Sequence, residues 1–368
     1  MKRIQVWSYL TEYEEMREAV LSAVDDVFNS GQLILGKRVG ALEAQIADYI
    51  GVSETGIGVN SGTDALHIGL KALGIGPGDE VITVANTAVP TVAAIVSTGA
   101  IPKFVDIDSK TYLMDCNQIP KIITPATACI LPVHLYGQCV DMVLINDIAK
   151  QHKLAVLEDC AQSMGATFNN QKSGKIGDIG AFSFYPTKLL GAYGDGGMIL
   201  TNSTSLQEKC RRLRMYGMDG NYYSEEHGYN SRLDEVQAAI LSIKLKSLNK
   251  MILRRRKIAS QYTEKLKDTD LVLPVEAPLN QHVFYLYVVR HPERDRIINA
   301  LAKKNIHLNI SYPYPISLMR GYSYLGYKEG DLPVTENLAK EIFSLPMYPS
   351  LTDEEQDFVC DVLRGILK

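Results

Sequence analysis

The stretch EVITVANTAVPTVAAIVSTGAIPKFVDI, residues 80–107, decides the fold class. EVITV (80–84) is a short run, apolar on both faces and rich in β-branched residues. A helix of small residues follows around 88–98, and IPKFVDI (101–107) resumes the strand pattern. Strand, helix and strand in so short a space form the unit of a parallel sheet with right-handed crossovers. Strands apolar on both faces belong inside such a sheet, with helices covering each side.

Outward from this unit the texture continues. GIGVN (56–60) precedes a helix starting near Thr63, and ACILPV (128–133) and LAVLE (154–158) are further strands. The expected class is therefore α/β with a mostly parallel central sheet. Upstream, Met16, Val20, Val24 and Val27 recur at helical spacing within 12–29, with Gly31 as the stop. Leu42, Ile46 and Ile50 mark a second helix over 39–50. Downstream, 204–214 reads as helical after GMILTN (197–202), and SRLDEVQAAILSIKLKSLNK (231–250) predicts one amphipathic helix capped by Ser231. A further helix is expected over 251–267, a strand over VFYLYVVR (283–290) and a helix over 293–305. Thr352 and Glu355 have the spacing of a capping box before the last helix. With 368 residues the chain exceeds the ~250–300 at which one core stops growing. We expect a large domain over 1–245 and a smaller C-terminal α/β domain over 246–368.

Composition excludes several classes. A net charge of -4 and a pI near 6.0 argue against nucleic-acid binding. The six cysteines (Cys116, Cys129, Cys139, Cys160, Cys210 and Cys360) form no C-x-x-C pair and read as reduced thiols. There is no apolar leader, and no apolar run approaches the ~20 residues of a membrane span. The cytoplasm is the expected location, with no membrane partner. His134 and His67 have no second ligand at metal spacing, so they read as satisfied core histidines and no metal is expected. Tyrosine-rich SYPYP and GYSYLGY lack a basic flank and read as packing or substrate-loop elements.

Three segments carry chemistry. In VNSGTDALHIGL (59–70), Ser61, Gly62 and Thr63 lie between a strand and a helix. Unpaired N–H groups and the positive dipole end suit a phosphate there, although an ordinary helix cap reads the same way. The glycines Gly56, Gly58 and Gly62 are spaced G-x-G-x-x-x-G, which is not the dinucleotide fingerprint. In LAVLEDCAQSMGA (154–166), Glu158 and Asp159 end an apolar strand. Ligands bind outside such ends, where an acid holds a cationic ring nitrogen or simply caps the loop. In GDIGAFSFYPTKLLGAYGDGGMIL (177–200), Lys188 sits among apolar and glycine residues, with no charged neighbour before Asp195. Such an amine is a nucleophile if desolvated, or a snorkelling lysine in a turn. The glycines Gly194, Gly196 and Gly197 permit close backbone approach. Phosphate cradle, strand-end acid and lysine, in that chain order, are what pyridoxal phosphate needs: an anchor, a partner for the pyridine nitrogen and a Schiff-base amine.

On these residues the chain resembles the sugar aminotransferases of the DegT/DnrJ/EryC1/StrS family, in the fold type I group of PLP enzymes. VNSGTDAL (59–66), LEDCAQSMGA (157–166), GAFSFYPTKLLGAYGDGG (180–197) and GYNSRLDEVQAAIL (228–241) carry the resemblance, supported by PVHLYG (132–137), GIGPGDEVI (74–82) and SLPMYPSLT (344–352). It implies an aspartate-aminotransferase-like fold and a PLP/PMP cofactor. Gly62, Thr63 and Ser183 would bind the phosphate, Asp159 the pyridine nitrogen, and Gln162 would lie against the ring. Lys188 would be the catalytic Schiff-base lysine, at a position where related dehydratases have histidine. Asn230 would reach the phosphate of the neighbouring subunit, making a homodimer with a shared active site. Tyr185 and Asp195 in SFYPTKLLGAYGDGG resemble members that aminate C3 of a nucleotide-linked keto sugar. Glutamate and a dTDP-linked keto-deoxy sugar are the implied substrates, with Tyr185 and Tyr312 near the sugar. The alternatives are amination at C4, a UDP-linked or free keto sugar, a cyclitol, a dehydratase, or a non-catalytic binder. The chain departs from the family at Ala88, where an aromatic residue usually stacks on the ring, and at Met164, Ser311 and Ser317, where histidines are common.

Overall fold

A computed structural model describes residues 3–367. The chain opens with β1 (Ile4–Gln5), α1 (Leu10–Ser30), α2 (Lys37–Ile50), β2 (Ile57–Val59) and α3 (Gly62–Ala72). The unit read first follows as β3 (Glu80–Val84), α4 (Val89–Ser97) and β4 (Ile101–Val105). Then come β5 (Thr127–Ile130), α5 (Met142–His152), β6 (Ala155–Asp159), the hairpin β7 (Thr167–Phe168) and β8 (Gln171–Lys172), β9 (Ile179–Ser183), β10 (Gly197–Leu200) and α6 (Thr204–Leu213). The remainder is α7 (Glu235–Leu245), α8 (Leu248–Leu266), β11 (Asn280–Gln281), β12 (Tyr287–Arg290), α9 (Arg294–Ala302), β13 (Ile306–His307), α10 (Pro333–Glu341), β14 (Ile342–Leu345) and α11 (Asp353–Leu367).

Seven strands form the central sheet in the order β2-β10-β9-β6-β5-β3-β4. Only β10 runs against its neighbours; the others share one direction. The sheet is thus mixed and mostly parallel, as the both-face apolar strands predict. The carboxyl ends of β2, β3, β5, β6 and β9 open on one edge, and the loops that follow them build the site. Around this sheet lies a large core that includes Leu42, Ile57, Leu70, Ile82, Ile130 and Phe182. A second core gathers Ile258, Tyr262, Tyr287, Ile297, Phe343 and Val359. Ile4 joins this second core, because β1 pairs with β13. The helix α8 serves both, with Leu248 and Ile252 in the first and Ile258 and Tyr262 in the second. A cut at 245/246 therefore isolates neither core.

Two sequence expectations fail for identifiable reasons. Residues 231–250 do not form one helix capped by Ser231. The Ser231 hydroxyl instead accepts from the Asn60 N–H (3.1 Å) and donates to Asp64 (2.7 Å), which ties the loop down beside α3. The helix starts at Glu235 and breaks before Leu248. Glu235 itself spans to another element: its carboxylate accepts from the N–H groups of Gly36 (2.9 Å), Arg38 (2.9 Å) and Val39 (2.8 Å) and so caps α2. Likewise 283–290 is a strand only from Tyr287, because Phe284 adopts φ 48. The capping box of α11 forms as read, with reciprocal bonds of 3.1 Å between Thr352 and Glu355.

Candidate active site

Five chain segments meet at the sheet's carboxyl edge around a cavity of about 260 Å³. Its lining includes Gly62, Thr63, Asp159, Gln162, Ser183, Tyr185 and Lys188, together with Ala88, Thr91 and Asp195.

One end is a cradle. Ser61 caps α3, its hydroxyl accepting from Asp64 N–H at 3.1 Å. The N–H groups of Gly62 and Thr63, next in the helix, have no intrahelical acceptor. A Cβ on Gly62 would fall 2.6 Å from Ser183 Cβ and 2.9 Å from its Oγ, so only glycine lets the helix N-terminus meet that hydroxyl. Gly197 on β10 is equally constrained: a Cβ there would lie 2.3 Å from the Ser61 carbonyl. Amide donors, a dipole end and a serine hydroxyl make an anion site.

Adjacent carboxylates at the end of β6 have opposite roles, because successive strand residues face opposite ways. Glu158 is fully buried and accepts from His134 Nε2 (2.9 Å) and the amides of Gly174 (2.9 Å), Ile176 (2.8 Å) and Gly177 (2.7 Å). That fills the roughly four acceptor positions of an ionised carboxylate. Cys160 lies near this pair. His134 Nδ1 accepts from Val140 N–H (3.2 Å), so its proton sits on Nε2 toward Glu158, and the group reads as a satisfied core network. Asp159 faces the cavity and receives only Thr91 Oγ1 (2.8 Å) and the Ala161 amide (3.1 Å). Burial pushes its carboxyl above the usual range, against the pull of those two donors and of Lys188. A buried acid with spare acceptor capacity fits a cationic partner such as a protonated pyridine nitrogen.

Sequence reading missed Thr91 as a site residue. Pro90 is the second residue of α4 and sets Thr91 in its first turn; Thr91 donates to Asp159 and accepts from Thr87 Oγ1 at 2.8 Å. The signal was the T-x-x-P-T spacing just after a strand.

Lys188 is half-buried, its side chain on the cavity wall and its amine 4.9 Å from the centre of the Tyr285 ring. Gln162 is fixed in one orientation. Its Oε1 accepts from Tyr136 N–H (2.8 Å), so Nε2 donates to the Tyr312 hydroxyl (2.6 Å). Tyr312 thus lies one hydrogen bond behind the cavity lining, and burial pushes its phenol far up. Tyr185 is half-exposed at the mouth. Asn230 does not line this chain's cavity; it is exposed and bridges to Met215.

The departures fall in different places. Ala88 lines the cavity beside Pro90. Met164 is buried in the large core, Ser311 pairs with Ser344 (3.2 Å), and Ser317 is buried with no hydrogen-bond partner for its hydroxyl. His67 is not a satisfied core histidine. It packs against Tyr229 with the rings tilted (centroids 4.7 Å apart), its Nε2 has no partner among the described residues, and burial lowers its pKa. All six cysteines are buried and free, and no helix among the described residues is long and apolar enough to cross a membrane.

An anion cradle, a buried acid and a lysine at the carboxyl edge of a mostly parallel sheet define a class: α/β enzymes that hold a phosphorylated, cationic ligand beside an amine. The DegT/DnrJ/EryC1/StrS aminotransferase family model matches residues 14–364, and the chain belongs to that family. It is 50% identical, over 98% of both chains, to the dTDP-3-amino-3,4,6-trideoxy-alpha-D-glucose transaminase of Micromonospora megalomicea subsp. nigra. The structure of S. venezuelae DesV superposes with a TM-score of 0.98 at 38% identity, covering 100% of this chain and 99% of that one. Bacillus subtilis NtdA, solved with bound cofactor PMP, has a TM-score of 0.90 at 33% identity, covering 96% and 82%. The chain is an aminotransferase of this α/β fold.

Proposed function

We propose that the chain uses pyridoxal phosphate to move an amino group from glutamate to the C3 keto group of a dTDP-linked keto-deoxy sugar. The observation that carries this reading is the single cavity joining the Gly62–Thr63–Ser183 cradle, the partly satisfied acid Asp159 and the Lys188 amine. The full-length identity to a dTDP-sugar transaminase supports the substrate class.

The residues fit the cofactor. Gly62, Thr63 and Ser183 would hold its phosphate, Asp159 its ring nitrogen and Lys188 its aldehyde. When bound, the cofactor supplies a carbonyl that condenses with amines and a ring that takes up the electron pair left by a broken Cα–H bond. When free, Lys188 Nζ would take the proton from the donor's α-carbon and then give it up, as general base and then general acid. In the second half-reaction it moves the proton in reverse. Asp159 would pair with the ring cation, and Gln162 would flank the ring. Tyr185 at the mouth would contact the sugar, and Tyr312 acts on it through the Gln162 amide that it holds. Asn230, exposed on its own chain, completes the cradle of a second copy. The exposed apolar residues Leu10, Leu21, Phe28, Leu33 and Ile34 supply the surface for that homodimer.

An absorbance titration tests the reading. The protein with PLP should gain a band near ~400 nm from the lysine-bonded cofactor. Glutamate should bleach it, and a dTDP-linked 3-keto-6-deoxyhexose should restore it. Bleaching without restoration would reject that sugar and send the assay to 4-keto and UDP-linked substrates. No band at all would remove the proposal.

A further inference from the structure

One segment of the C-terminal half, residues 282–286, reaches Lys188 from behind the cavity lining in a conformation its sequence does not predict. Phe284 holds φ 48, a region bulky side chains occupy only where the surroundings impose it. Two anchors impose it here. Arg255, fully buried on α8, donates from Nη1 to the carbonyls of Phe284 (3.3 Å), Tyr285 (3.2 Å) and Met347 (2.8 Å). The N–H groups of Val283 and Leu286 bond the carbonyls of Gly137 (2.8 Å) and Tyr136 (3.3 Å).

The outcome is the placement of one ring. Tyr285 lies under Lys188, with Nζ 4.9 Å from the ring centroid. Its hydroxyl is hydrogen-bonded to Thr187, the residue before that lysine, at 3.1 Å. An aromatic face within about 6 Å attracts an ammonium through the ring quadrupole. A strained backbone held by a buried guanidinium is more than a filled space requires.

We infer that Tyr285 is a positioning residue for the Lys188 amine, holding Nζ against the cavity wall whenever it is not bonded to the cofactor. This rests on the proposed role of Lys188. The ring face carries the effect, and the hydroxyl only orients the ring.

The test compares Tyr285→Leu and Tyr285→Met with Tyr285→Phe, each checked for folding by thermal melt. In single-turnover half-reactions, Leu and Met should lower the rate roughly tenfold, about the factor a partly desolvated cation–π contact provides. KM for both substrates should stay within about twofold, and Phe should recover most of the loss. A second readout needs no cofactor: competitive acetylation of the apoprotein with acetic anhydride, quantified by mass spectrometry. Lys188 should be labelled several-fold faster, relative to the other lysines, in Leu and Met than in the parent and Phe proteins. Equal damage in Phe and Leu would overturn the inference, as would Leu labelling indistinguishable from the parent. If the parent protein never gains its ~400 nm band, the proposed function falls, while the labelling result still decides the contact.

Discussion

The cavity has a lining, its inner wall, and a layer behind that lining of different origin. The inner wall is made by loops directly following β2, β6 and β9, and carries Gly62, Asp159, Ser183 and Lys188. The outer side, behind the lining, comes from the C-terminal half, where Tyr285 meets Lys188 and Tyr312 meets Gln162 from irregular backbone, with Tyr312 at φ 71. The inner wall needs little beyond local geometry, since strand ends and a helix N-terminus supply its donors and charges. The outer side depends on long-range anchors such as Arg255. The charged and donor groups thus stand at the sheet's edge, and the rings behind them on backbone that can change with few consequences for the sheet.

Four substitutions sharpen that contrast. Lys188→Ala should lower turnover by ~10³-fold or more, the upper range of general acid–base contributions. The ~400 nm band should vanish with it; full activity would sink the assignment of the inner wall. Asp159→Asn should reduce kcat/KM by roughly 10²–10³-fold, as expected when one partner of a buried charge pair is lost.

The same variant should behave oppositely in stability. Burial raises the folded-state pKa of Asp159, so its neutral form favours folding. That contribution is complete below the unfolded pKa and is lost as pH rises through the folded one. Apo Asp159→Asn should therefore gain Tm relative to the parent as pH rises above about 4, the unfolded carboxyl's range, read by calorimetry across pH. A Tm difference that does not grow with pH would show that burial does not penalise the charge.

Glu158→Gln should invert the pattern. Losing a buried carboxylate with four donors should cost about 3 kcal/mol of unfolding free energy in urea melts. The kcat of the folded fraction should change less than about fivefold. Glu158 and Asp159 would exchange roles if the outcomes were swapped. Smallest, Ser183→Ala should weaken PLP binding to the apoprotein by about tenfold, one charge-assisted hydrogen bond's worth, in a fluorescence titration.

Much of the inner wall was legible because its signals are local. EVITV, the first strand of the opening unit, is β3 residue for residue, and the Ser61–Gly62–Thr63 turn sits where a strand meets a helix. The readings that failed depended on distant partners. Ser231 looked like a cap, yet its hydroxyl serves Asn60 and Asp64. VFYLYVVR has strand composition throughout, but Arg255 and Gly137 bend its first half. His67 sits on a helix with apolar neighbours, and nothing nearby in the chain announces that Tyr229 covers it.

By itself the sequence determined the α/β class, the strand-end placement of Asp159 and the strand-to-helix turn at Ser61–Gly62–Thr63, because periodicity and turn chemistry act over a few residues. Only the tertiary structure decided which of two adjacent acids faces the ligand, which way Gln162 points, and that Tyr285 lies under the lysine. Those outcomes depend on hydrogen-bond donors and packing partners up to about a hundred and fifty residues away (Gln162 and Tyr312 are 150 apart), a separation no local pattern encodes.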